Sequence, residues 1–148
     1  MAIMDKNLLF SSAQAVTATA ASTDVIDLGA QMDYGIGDNP ALKLLALVIT
    51  AFSTTNSGTL TVAFQGSTDN VTFDTYAQTI ALTAGALTAG ARLFDIDVPR
   101  PSSGQSRPRY LRLNYTVANN FTAGTVTAGL LLDRGDRIAY PPGIGISN

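Results

Sequence analysis

The chain contains no cysteine, no histidine, no tryptophan and no glutamate. Without cysteine there is no disulfide and no thiolate metal site. Without histidine the commonest metal ligand and general base is missing, and a serine–histidine–aspartate triad cannot be built. Good helix formers are also scarce: lysine occurs only at Lys6 and Lys43, and every acidic residue is aspartate. Charged residues make up 14% of the 148 positions, against about 25% in an ordinary soluble domain. A net charge of -2 argues against a general nucleic-acid binder. The longest apolar run, residues 41–52, is interrupted by Lys43 and is too short to span a bilayer as a helix. The patch Leu8-Leu9-Phe10 is too short for the apolar region of a signal peptide. The expectation is a soluble protein made in a cytoplasm, with no cofactor, no metal, no nucleic acid and no membrane partner.

What is present favours strands. Threonine, valine, isoleucine, phenylalanine and tyrosine are plentiful. Over residues 110–117, Leu111, Leu113, Tyr115 and Val117 alternate with Arg112, Asn114 and Thr116. Such alternation marks a half-buried strand. Residues 59–65, 93–98 and 125–132 repeat the pattern. Residues 42–52 are apolar on both faces, and their length and flanks predict a central strand. A further strand is expected over 71–82, and one or two over 15–28. Residues 53–58 read as a hairpin turn. Residues 81–90 hold Ala-Leu-Thr-Ala-Gly twice in tandem, read as a loop tolerant of insertion. Residues 99–109, with three prolines, form another loop. The result is one all-β domain over 1–148, an antiparallel β-sandwich of about eight strands, either jelly roll or immunoglobulin-like. Extended arms are expected at 1–14 and 138–148. Pro141 and Pro142 favour an extended course in the second.

Chemistry-bearing clusters are few. Asp95 and Asp97 share a strand face about 7 Å apart, a spacing open to a carboxylate pair or a calcium site. With no second acidic cluster nearby in sequence, a solvated outer face is the simpler reading, and no enzyme is expected. Arg100, Arg107, Arg109 and Arg112 fall close together, around the proline-rich loop. Guanidinium forks bond carboxylates in bidentate fashion and suit protein interfaces, so these four are candidate anchors on an acidic partner. Apolar arms that cannot fold on themselves lie on something else. Leu8, Leu9 and Phe10 at one end, and Tyr140, Pro141, Pro142 and Ile144 at the other, are candidate arm contacts.

Several stretches taken together resemble a known family. Residues 9–23 run from Leu9-Phe10-Ser11-Ser12-Ala13-Gln14 to Ser22-Thr23, and lead into Val25-Ile26-Asp27-Leu28-Gly29 and Gly35-Ile36-Gly37. Phe64-Gln65-Gly66-Ser67-Thr68-Asp69-Asn70 precedes Phe73, and the chain closes on Tyr140-Pro141-Pro142-Gly143. This order resembles the small capsid cement, or decoration, proteins of short-tailed bacteriophages. The tandem repeat and the Arg-Pro-rich loop stand outside that pattern. The resemblance implies a jelly roll and a homotrimer on the outside of the virion head. There it would bridge neighbouring copies of the major capsid protein and stabilise the expanded shell. A carbohydrate-binding β-sandwich of a phage tail or head fibre is the alternative.

Overall fold

Strands with one apolar face must bury it against a second layer, and the computed structural model stacks two antiparallel sheets in this way. The structure describes residues 5–29, 42–101 and 107–131. Its strands are β1 (Leu9–Ala15), β2 (Ala20–Ala21), β3 (Ile26–Asp27), β4 (Lys43–Ser53), β5 (Thr59–Ser67), β6 (Asp74–Gln78), β7 (Leu82–Thr83), β8 (Arg92–Asp97), β9 (Tyr110–Ala118) and β10 (Ala123–Leu131). One sheet has the order β1-β10-β4-β8. The other has the order β2-β9-β5-β6, with β3 also on β9 and β7 also on β5. Taking β2 with β3, and β6 with β7, as two interrupted edge strands gives the two interleaved Greek keys of a jelly roll.

The alternation read from the sequence sets the core. Leu44, Ala46 and Val48 of β4 and Val126, Ala128 and Leu130 of β10 line one inner face. Leu60, Val62 and Phe64 of β5 and Leu111, Leu113 and Tyr115 of β9 line the other. Along the β5–β9 ladder Val62 stands opposite Tyr115 and Phe64 opposite Leu113. Phe64 meets Phe10 and Tyr76 edge-on, with ring centroids 6.1 and 6.2 Å away. The central strand expected over 42–52 is β4, inside its sheet between β10 and β8, although Ile49 on it is left 48% exposed. Leu45, and Leu131 at the end of β10, are buried outside the interior cluster.

Four expectations are corrected. Within the described part of the expected arm over 1–14, a short 3-10 turn, Lys6–Leu8, leads into β1. Leu8 and Leu9 are half-buried, and Phe10 is wholly buried among the chain's own core residues. Local apolar character without clean alternation hid this strand, because β1 carries two irregularities in its pairing with β10 and a left-handed Ala13 (φ 47°). Residues 53–58 are no hairpin, since they carry the chain from one sheet to the other. Thr54 Oγ1 accepts from the Asn56 and Gly58 amides at 3.2 and 3.1 Å and folds this connection over.

The strand expected over 71–82 is broken twice. A tight turn precedes it, and at Thr79 a side chain replaces a ladder bond: Val62 N donates to Thr79 Oγ1 at 3.0 Å. Finally, the tandem repeat is no permissive loop. Leu87 of the second copy is fully buried, and its carbonyl accepts from Phe52 N at 3.0 Å.

A buried polar contact joins the two sheets. Ser11 Oγ of β1 donates to Gln14 Oε1 at 2.7 Å and lies 2.8 Å from Tyr115 Oη of β9. The serine's single proton is used, so the tyrosine O–H must donate to it. Burial pushes the Tyr115 phenol up to about 12. Gln14 also receives Thr23 N and donates to the Ala21 carbonyl, so it fixes β2 against β1.

Candidate functional site

The β3–β4, β5–β6 and β8–β9 connections leave the sandwich at one end. Their described flanks are tied together. Leu28 N donates to Arg109 O at 2.8 Å, Arg109 N to Ser67 O at 2.9 Å, and Val98 N to Leu42 O at 2.9 Å. Gly66 has no room for a side chain, because a Cβ there would lie 2.4 Å from the Tyr76 ring and 2.8 Å from Pro108. The arginines singled out in the sequence gather around this end.

Arg109 presents both sides of its fork to Asp27. Nε donates to Oδ1 at 2.8 Å and Nη2 to Oδ2 at 2.9 Å. Its guanidinium also sits over the Tyr110 ring, 4.9 Å from the centroid. The bidentate carboxylate expected from a partner is therefore supplied by β3 of the same chain. Arg112, on the outer face of β9, lies 3.6 Å over the Phe73 ring, and its Nε donates to Gln65 Oε1 at 2.9 Å. Gln65 Nε2 passes the chain of bonds on to Thr75 Oγ1. Burial lowers the Arg112 pKa, and a guanidinium remains charged regardless. Arg100 and Arg107 are exposed on the β8–β9 connection and have interactions of their own.

The β5–β6 turn is organised by two side chains. Ser67 Oγ accepts from the Asp69 and Asn70 amides, and Asp69 Oδ1 accepts from Val71 N, Thr72 N and Ser67 Oγ at 2.8–2.9 Å. Asn70 takes the left-handed conformation (φ 60°), which asparagine tolerates well. The Gly66-Ser67-Thr68-Asp69-Asn70 motif is thus a turn specification. Sequence reasoning noted that motif but missed Asp27, Gln65 and Phe73 as partners of the arginines. Their contacts cross between strands distant in sequence, and no local spacing announces them.

Asp95 and Asp97 do not form a joint site. Asp95 pairs with Arg92 at 3.0 Å, and Asp97 pairs with Lys43 opposite it on β4. The described residues hold no group of three or more potential metal ligands. Tyr140, Pro141, Pro142 and Ile144, and the arm over 138–148, lie outside the described residues.

The carboxyl groups at this end give a pH prediction. The Arg109 bond and the Gly29 amide hold Asp27 down at about 2, and the Val71 and Thr72 amides hold Asp69 at about 2. An unfolded aspartate titrates at about 4. Both groups therefore stabilise the fold above that value, and the contribution is lost as pH falls through about 4 towards 2. Asp69→Asn keeps an acceptor oxygen but cannot titrate in this range. Thermal melts should show a smaller drop in midpoint between neutral and acid pH for Asp69→Asn than for the wild type. Parallel curves would show that Asp69 plays no part in the acid response.

With this geometry in place, comparison with known proteins is informative. The Bbp16 family matches residues 10–130. The chain belongs to the Bbp16 family, which is phage-related. The match opens in β1 and closes in β10, so Bbp16 similarity spans the whole jelly roll and both sets of connections. No curated protein matches the chain.

Proposed function

We propose that this Bbp16-family chain is a structural cement protein of a phage head. It would bind the outer surface of the shell, bridge neighbouring major capsid subunits and carry no catalytic activity. The observation that carries this reading is the family match, phage-related and continuous over the sandwich. The resemblance of residues 9–37 and 64–73 to capsid cement proteins supports it. So do the β5–β6 turn, set from within by Ser67 and Asp69, and the Asp27–Arg109 ion pair, both formed without any partner. A rigid contact surface loses less entropy on binding than a flexible one.

Cementing works through linked weak grips. Each copy in an oligomer, three by the resemblance, needs only modest affinity for one shell site. Simultaneous engagement raises the total by about 10²–10⁴. Protein that binds the assembled lattice in preference to separate subunits stabilises the lattice by mass action. Arg100 and Arg107, exposed on the β8–β9 connection, are the contacts to examine first on an acidic shell surface.

The carbohydrate-binding alternative needs open aromatic faces. Among the described residues every ring is either packed in or against the core or, at Phe73 and Tyr110, covered on one face by an arginine. That leaves the alternative without a clear platform there.

Purified virions of the parent phage provide the test. The protein should copurify at a fixed ratio to the major capsid protein, and heads lacking it should open at lower temperature, with added protein restoring the midpoint. Virions without the protein, together with heads indifferent to its addition, would overturn the proposal.

A further inference from the structure

Arg112 stands on the outer face of β9, opposite Gln65 of β5. Its guanidinium is held twice. The central carbon lies 3.6 Å from the centre of the Phe73 ring, and Nε donates to Gln65 Oε1 at 2.9 Å. Gln65 is steadied in turn by Thr75. These contacts use one face of the fork and one of its five N–H groups. The two Nη groups have no hydrogen-bond partner among the described residues. No buried side-chain nitrogen or oxygen described is left without one. Both Nη groups of this half-buried residue are therefore open to solvent.

The charge is also uncompensated. Lys43 pairs with Asp97, Arg92 with Asp95 and Arg109 with Asp27. Arg112 meets no carboxylate among the described residues, and its neighbours on the face, Gln65, Thr75 and Asn114, are neutral. Partial burial of a charge without a counterion costs free energy, and an arriving anion recovers part of it.

We propose that Arg112 is a docking site for a carboxylate side chain, aspartate or glutamate, on the surface of a partner protein. Parallel bonds from Nη1 and Nη2 fit the two carboxylate oxygens. A phosphodiester chain calls for a row of cations, whereas one uncompensated guanidinium amid neutral side chains suits one carboxylate. Arg109 cannot extend the row, because Asp27 already takes its fork. Phe73 is the positioning residue: the stacked guanidinium is oriented before the partner arrives and loses little freedom on binding. Tyr110, on the same face of β9 and about 7 Å along the strand, adds the aromatic neighbour that interface centres favour. That the partner is a shell protein rests on the cement reading; the geometry of the site does not.

Two measurements test the chemistry and the partner separately. Hexaglutamate, titrated against sodium chloride at equal ionic strength, should shift the Arg112 Nε–H resonance saturably and leave that of Arg109 in place. No shift, or an equal or larger one with hexathymidylate, would sink the carboxylate assignment. Binding to purified heads of the parent phage should weaken at least tenfold in Arg112→Gln. Phe73→Leu keeps the charge but removes the platform, and should weaken binding to a lesser degree. Thermal melts should show both variants folded, which a role in packing alone would pair with unchanged head binding. Heads that take up wild type and Arg112→Gln equally would overturn the inference and leave the cement reading standing. Hexaglutamate binding by a wild type that ignores heads would overturn the cement reading and leave the site.

Discussion

Phe10→Ala is expected to lower the unfolding free energy by about 3–5 kcal/mol, the usual cost of emptying a buried aromatic site. The ring is fully buried and packs edge-on against Phe64, which in turn packs against Tyr76. Its loss leaves a void between the sheets and removes the anchor that holds β1 to the core. Urea denaturation of the isolated protein measures the effect directly. The result discriminates between two physical roles for the same residue. An arm residue that waits for a partner would cost the free chain almost nothing, so a loss below about 1 kcal/mol would restore the arm reading.

The second large effect separates two residues that the sequence makes look equivalent. Leu82 and Leu87 occupy the same place in the two Ala-Leu-Thr-Ala-Gly copies. Leu82 is half-buried on the short edge strand β7, whereas Leu87 is fully buried where the chain crosses to β8. The backbone is organised around the second copy. Phe52 N donates to Leu87 O, Gly90 N donates to Val48 O at 2.8 Å, and Gly90 takes a left-handed φ of 84°. Leu87→Ala should cost about 2–5 kcal/mol, and Leu82→Ala clearly less, since the transfer and cavity contributions both scale with burial. Equal losses for the two would mean that the crossover does not hold the register described.

The strands with strict alternation, β5 and β9 above all, were legible because a period of two reports directly on which side chains face the core. The central position of β4 was legible from its length and flanks, and its second apolar face is only partly covered, with Leu45 buried and Ile49 exposed. The N-terminal strand was not, because its bulges and the left-handed Ala13 disturb the period, and Ser11 is buried without being apolar. A serine whose partner is Tyr115, in the opposite sheet, carries no local mark of its burial. The crossover at Leu87 was illegible in the same way, since a repeat advertises sameness while the two sheets treat its copies differently.

The arginine end was half legible. Composition and spacing brought Arg100, Arg107, Arg109 and Arg112 forward as a group. They could not show that Asp27, more than eighty residues before Arg109, would occupy one fork, or that Phe73 and Gln65 would hold Arg112 flat against the sheet. Charge reversal at Arg109 would therefore disturb the protein's own loop geometry as well as any external contact.

The position of β10 between β1 and β4 sets the order in which the molecule can be made. The first strand of the jelly roll has no neighbour in its sheet until the last one, ending at Leu131, is available. A nascent chain can form β5 against β6 and β4 against β8 early, but β1, with Phe10, must wait for β10. Such non-local pairings fold slowly, on the order of milliseconds to seconds. During that interval the exposed strands are open to misassociation between chains. A protein produced in many copies at once would meet this hazard at its worst. Mutations that slow the arrival of β10 should appear first as lost yield, before any defect in the finished fold.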